Sequence, residues 1–156
     1  MSSSRVRSLF AVALLALAPV VWAAGPAAVT VSDPYARAVP PGQPNSGVFM
    51  TLRNASDQPR ALVAAKSPAA KTVELHTHTN DGGVMRMRKI ERIDIPAGAS
   101  VQLKPGGLHV MLIGLNGDLT PGGTVALDLS FDDGSQAQVK APVRTIETAP
   151  MAPMAH

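Results

Sequence analysis

All four histidines in this chain stand close to methionines, His156 at the C-terminal end and the other three in the body of the chain. His76 and His78 precede Met85 and Met87 across a short polar stretch, and His109 is followed two residues later by Met111. Imidazole nitrogen and thioether sulfur are both metal donors. Together, with no hard carboxylate among them, they favour Cu(I), a d¹⁰ ion that accepts tetrahedral coordination. Zinc fits less well, since its protein donors are Cys, His and carboxylate. The chain has seven methionines and no cysteine. The missing thiol excludes disulfides, Cys zinc clusters, iron–sulfur sites, a thiol redox couple, a cysteine nucleophile and a blue-copper thiolate.

These residues need strands to position them. Short β-branched or alternating runs are read at Val29–Val31, Val48–Leu52, Ala61–Ala65, Thr72–His78, Val84–Ile90, Ser100–Leu103, His109–Ile113, Val125–Phe131 and Gln136–Ala141. Turn signals separate them, among them Pro40-Pro41-Gly42, Pro96-Ala97-Gly98, Pro105-Gly106-Gly107, Pro121-Gly122-Gly123 and Asp133-Gly134. Short strands at this spacing predict an all-β sandwich or barrel. No Gly- and Pro-free window carries a helical apolar stripe outside the first residues.

Asp81-Gly82 is a favoured two-residue hairpin loop. With that loop, His78 faces Met85 and His76 faces Met87, and all four share one side because strand side chains alternate. Displacing the loop by one residue would lose both pairs. In Leu108-His109-Val110-Met111-Leu112 the aliphatic positions point to the core, and His109 and Met111 share the other face. His76, Met87, His109 and Met111 thus form a candidate set of two imidazoles and two thioethers. Glu74 has the parity of His76 and could hydrogen-bond a ligand, with solvated surface the favoured reading; Met50 reads as core.

Residues 1–23 read as a secretory leader. Arg5 and Arg7 precede an apolar run from Leu9 to Val21, and Val21-Trp22-Ala23 supplies a cleavage site after Ala23. The run is shorter than the roughly 20 residues of a membrane span, so no stable membrane anchor is expected. Without Arg5 and Arg7 the 14 basic residues fall to 12 against 11 acidic, a net of +1. That is no footprint for nucleic acid or an anionic membrane. The expected organisation is a leader at 1–23, one β domain at 24–147, and a loose tail at 148–156 that carries Met151, Met154 and His156. An enzyme is not expected. There is no Gly-x-Ser-x-Gly elbow, and a histidine-brace oxygenase would need His at the mature N-terminus, where Ala24 is expected.

The spacing of His76, Met87 and His109-x-Met111 resembles the motif of the periplasmic PCuAC-type copper chaperones. The surrounding segments are similar too: Val73-Glu74-Leu75-His76, Val84-Met85-Arg86-Met87-Arg88, Ile95-Pro96-Ala97-Gly98, Leu103 to Leu112, Tyr35-Ala36-Arg37-Ala38 and Asn45 to Met50. The resemblance spans about residues 29–142. It implies a cupredoxin-like Greek-key β-sandwich that binds one Cu(I) at an exposed edge through His76, Met87, His109 and Met111. It further implies periplasmic delivery of copper to the dinuclear copper centre of cytochrome c oxidase, directly or through a Sco-type thiol protein. The alternative is a periplasmic copper buffer or resistance protein that uses the same donors without a dedicated acceptor. His78 and Met85 are auxiliary candidates outside the motif, and the tail is a candidate for additional copper.

Overall fold

The computed structural model describes residues 27–146. The leader, its cleavage site and the tail at 148–156 lie outside the described residues. Within them the chain forms ten strands and no helix: β1 (Val29–Arg37), β2 (Asn45–Asn54), β3 (Arg60–Lys66), β4 (Ala70–Asp81), β5 (Val84–Ile90), β6 (Ile93–Ile95), β7 (Ser100–Leu103), β8 (His109–Leu115), β9 (Thr124–Phe131) and β10 (Gln136–Arg144). Every expected run is a strand, most of them longer at the ends. The addition is β6, whose Ile93-Asp94-Ile95 alternates buried, exposed, buried over only three residues. That is too short a run for periodicity to declare.

Sheet neighbours are mostly not chain neighbours. The order is β5-β4-β8-β2-β1-β10-β9-β3-β6, with β7 pairing β2 beside β8. One layer holds β5, β4, β8, β7, β2 and β1; the other holds β10, β9, β3 and β6. The two join where the end of β10 runs parallel to β1, through Ala36↔Val143 and Arg37↔Arg144. The rest of β10 pairs antiparallel with β9. This crossed, all-β two-layer arrangement is the sandwich branch of the expectation.

Alternation decides what fills the space between the layers. Val48, Met50 and Leu52 of β2 and Val110 and Leu112 of β8 are fully buried. They join Leu62 of β3 and Val125, Leu127 and Leu129 of β9 in one core cluster. Each fully buried side chain of this size contributes about 1.5–3 kcal/mol. Met50, 1% exposed, is core as expected. At Lys104-Pro105-Gly106-Gly107 the Gly107 N–H donates to the Lys104 carbonyl at 3.0 Å, and Gly106 has φ 81°. Proline at the second position and a left-handed glycine at the third define a type II turn, which launches β8.

The β4–β5 hairpin corrects one expectation. Its loop is Gly82-Gly83, and Asp81 pairs with Val84. Both loop residues have positive φ, 63° and 90°. A type I′ turn demands positive φ at both central positions, which glycine adopts at less cost than aspartate because it has no Cβ. Asp81 is left as the last residue of β4, where its carboxylate takes Arg88 at 2.8 Å. The expected His76–Met87 and His78–Met85 pairs are therefore absent. A one-residue loop shift moves the pairing by two, so the faces are preserved. His78 now stands opposite Met87, His76 opposite Lys89, and Asn80 opposite Met85.

Candidate metal centre

β8 lies between β4 and β2, and this brings the separate His/Met segments together. Across β4 and β8, His76 pairs with His109 and Glu74 with Met111. Across β8 and β2, Met111 pairs with Gly47. Glu74, His76 and His78 on β4, Met87 and Lys89 on β5, and His109 and Met111 on β8 consequently share one face. On the opposite face of β4 and β8, Leu75, Val110 and Leu112 enter the core.

His109 is the floor of the site. It is 3% exposed, and its ring neighbours those of His76 and His78, with centroids 5.7 and 5.2 Å away. Behind it stands an aromatic wall: Phe49 at 6.2 Å, then Tyr35 at 5.2 Å from Phe49, with Arg144 over the tyrosine ring. Gly47 makes room for this packing. A Cβ there would sit 3.1 Å from the Phe49 ring and 3.8 Å from the His109 ring.

Hydrogen bonds set which ring nitrogens are free. His109 Nδ1 lies 3.0 Å from the Gly107 carbonyl oxygen, which can only accept, so Nδ1 carries the proton and Nε2 keeps a lone pair. His78 Nδ1 approaches the same carbonyl at 3.4 Å, a weaker contact of the same sense. His76 has the opposite arrangement: its Nε2–H donates to Glu74 Oε2 at 2.8 Å. Its Nδ1 is buried and has no hydrogen-bond partner. An orphaned buried acceptor is costly unless something fills it; a metal ion would.

The hydrogen bond from His76, helped by Lys89 at 3.2 Å from Glu74 Oε1, holds the Glu74 carboxyl below its ordinary pKa. Glu74 is thus an anionic acceptor that orients His76, the role its parity allowed, and not the solvated surface residue that was the favoured expectation. Burial depresses the pKa of His109, His78 and His76 add to the effect, and the Gly107 carbonyl opposes it. The imidazole is kept neutral, the form that can donate to a metal.

The thioethers complete the set. Met87 is 52% exposed and Met85 55% exposed, on an edge strand; Met111 is half-buried. A cleft of about 530 Å³ opens over the site, and His78, Met87, His109 and Met111 all line it. His76 does not line that cleft. Among the described residues no three His, Asp or Glu converge on one point, so a site of nitrogen and carboxylate donors alone is not prearranged here. The structure therefore gathers all four sequence candidates on one face. It adds His78 at the cleft, and leaves Met85 one step further out, opposite Asn80. The supporting wall of Gly47, Phe49 and Tyr35 escaped sequence reasoning. The available signals were that these residues lie in the segments Tyr35 to Ala38 and Asn45 to Met50 that carry the family resemblance, and that Tyr35 is the only tyrosine and Phe49 one of three phenylalanines in an aromatic-poor chain.

A family model described as "Putative lipoprotein LpqE-like" matches residues 29–143. The "Putative lipoprotein Lxx21020" of Leifsonia xyli subsp. xyli is 33% identical over 122 residues, covering 78% of this chain and 72% of its own. Among solved structures, apo-DR1885 from Deinococcus radiodurans is 35% identical, covering 93% of this chain and 97% of that one, with a TM-score of 0.61. The CuI-DR1885 form is 36% identical over 80% and 82% of the two chains, with a TM-score of 0.60. The copper-bound PCuAC domain from PmoF2 covers 77% of this chain and 95% of its own at 23% identity and a TM-score of 0.65, a likeness of fold.

Proposed function

We propose that this chain, which belongs to the LpqE-like family, is a Cu(I) metallochaperone that carries its cargo on His76, Met87, His109 and Met111. The observation that carries the reading is the donor set itself. Two thioethers and two imidazoles share one face beside an open cleft in a chain without a thiol. The buried, unpartnered Nδ1 of His76 and the free Nε2 of His109 present lone pairs, each fixed by a hydrogen bond to the other ring nitrogen. This is the usual way a protein orients a ligating imidazole. The likeness to DR1885, solved with CuI bound, supports the same cargo.

The chemistry suits a carrier. Thioether and imidazole hold Cu(I), yet a thiolate is the stronger ligand, so copper passes downhill to a cysteine-bearing acceptor. The absence of cysteine removes the risk of disulfide formation in an oxidising compartment. We place the mature domain in the periplasm, with the leader removed after Ala23. The lipoprotein description of the relatives supports export, while this sequence offers no thiol for lipid attachment. The acceptor we propose is the dinuclear copper centre of cytochrome c oxidase, reached directly or through a Sco-type thiol protein.

The test is transfer. The Cu(I)-loaded protein is mixed with the apo oxidase copper-centre domain, and separately with an apo Sco-type protein, and copper is counted on each after separation. The expected result is metallation of at least one acceptor. Retention by the donor, where the same acceptor takes Cu(I) from a small chelate, would sink the delivery reading and favour a buffer. X-ray absorption of the loaded form is expected to count two sulfur and two nitrogen scatterers.

A further inference from the structure

The motif spacing selects His76, whereas the cleft selects His78. We propose that His78 is a third imidazole donor to the same copper, the one through which the metal enters and leaves. The proposal rests on the Cu(I) reading above and deepens it.

Four observations converge on His78. The Gly82-Gly83 turn sets it, and not His76, directly opposite Met87, at a separation where cross-strand side chains touch. It lines the cleft with Met87, His109 and Met111, and His76 does not. Its ring is nearer His109, 5.2 Å against 5.7 Å. Its Nδ1 faces the same Gly107 carbonyl that holds His109, which leaves its Nε2 free like that of His109.

The two β4 imidazoles differ in their hold. His76 is clamped by the short bond to Glu74, itself tied to Lys89. His78 has only the 3.4 Å contact. A tightly fixed donor suits retention; a loosely held one at the mouth suits exchange. The step is a ligand substitution. The bond from copper to His78 Nε2 forms as that to His76 Nδ1 breaks, copper stays Cu(I), and no electron moves. In the outer state His78, Met87, His109 and Met111 hold the ion within reach of an acceptor.

Two measurements on the full chain test this. In ¹⁵N-histidine-labelled wild-type protein, the Nε2 resonance of His78 is followed on titration with Cu(I); direct coordination moves it by far more than a structural neighbour would. In His78→Asn, the rate of Cu(I) release to bicinchoninate is compared with wild type. The expected results are a large Nε2 shift and release at least about tenfold slower. The proposal is overturned if the Nε2 resonance stays at its apo position, or if the variant releases copper at the wild-type rate. The resonance experiment needs no variant, so a folding defect in His78→Asn cannot hide the answer. The wider reading fails separately: Met87→Ala with Met111→Ala would then bind Cu(I) as tightly as wild type. If that double variant loses copper and His78 proves silent, only the present inference falls.

Discussion

The hairpins β9–β10 and β4–β5 use the same secondary structure for opposite ends. In β9 every second residue is buried, from Val125 through Leu127 and Leu129 to Phe131. Its partner β10 returns Val139, Ala141 and Val143 to the same core. In β5 the first six residues, Val84 to Lys89, are all exposed. Val84, Met85 and Met87 are each more than half exposed although apolar. Burial of apolar surface is the main favourable term in folding, so both strands of the first hairpin stabilise the sandwich, whereas in the second β4 gives Leu75 to the core and β5 contributes little. Exposed thioethers that do not serve stability are available to a ligand.

That contrast can be broken at either hairpin. The largest effect is expected at Leu127, 2% exposed. Leu127→Ala should lower unfolding free energy by about 2–5 kcal/mol. Urea denaturation reads this, and Cu(I) affinity of the protein that remains folded should be unchanged. At the other hairpin the pattern reverses. Met87→Ala with Met111→Ala should leave stability within about 1 kcal/mol of wild type, as is usual for changes away from the core. Its Cu(I) affinity should fall by about 100-fold or more, some 2.7 kcal/mol. Competition with a chromogenic chelator reads it; unchanged affinity would mean the exposed thioethers are not donors.

A smaller effect sharpens the role of the support. Glu74→Gln keeps the shape but removes the anion that fixes the His76 tautomer. Loss of such a partner typically costs 10–100-fold in metal affinity, and about tenfold is expected here because the amide oxygen still accepts. An affinity equal to wild type would return Glu74 to the status of surface.

The smallest effect belongs to the β9–β10 turn. The Ser135 hydroxyl and N–H hold the Asp133 carboxyl below its ordinary value of 3.8. A carboxyl whose pKa is lower folded than unfolded adds stability above the unfolded pKa, and loses it as pH falls through the folded one. Ser135→Ala should therefore cost a little stability near neutral pH, and the difference from wild type should vanish at a pH below the folded pKa. Denaturation midpoints across that range check the sign.

Much of this was legible in the residues. Strand side chains alternate with a period of two, so Leu108-His109-Val110-Met111-Leu112 declares its core and outer faces without knowledge of any neighbour. The same parity keeps His76, His78, Met85 and Met87 on one side in either hairpin register. The donor types, and the exclusion of thiol chemistry, follow from composition. The β6 strand was not legible because three residues make no period. Glu74 was legible only in part: its parity with His76 allowed a hydrogen bond, but an acid on a strand face is usually solvated, and only the spatial positions of His76 and Lys89 bind it.

Register and depth belonged to the tertiary structure. Asp81-Gly82 and Gly82-Gly83 are both plausible type I′ loops by composition; the folded chain uses the second, with glycine at both positive-φ positions and Asp81 held by Arg88, and this sets the partner of Met87. Strand order placed β8 between β4 and β2, which buried His109 beside Phe49 and brought the His76 and His78 rings within 5.7 and 5.2 Å of it. Parity is a local property of the backbone and can be read along one segment. Register and strand order arise from hydrogen bonds between distant segments, and so only the folded chain decides which histidine meets which methionine.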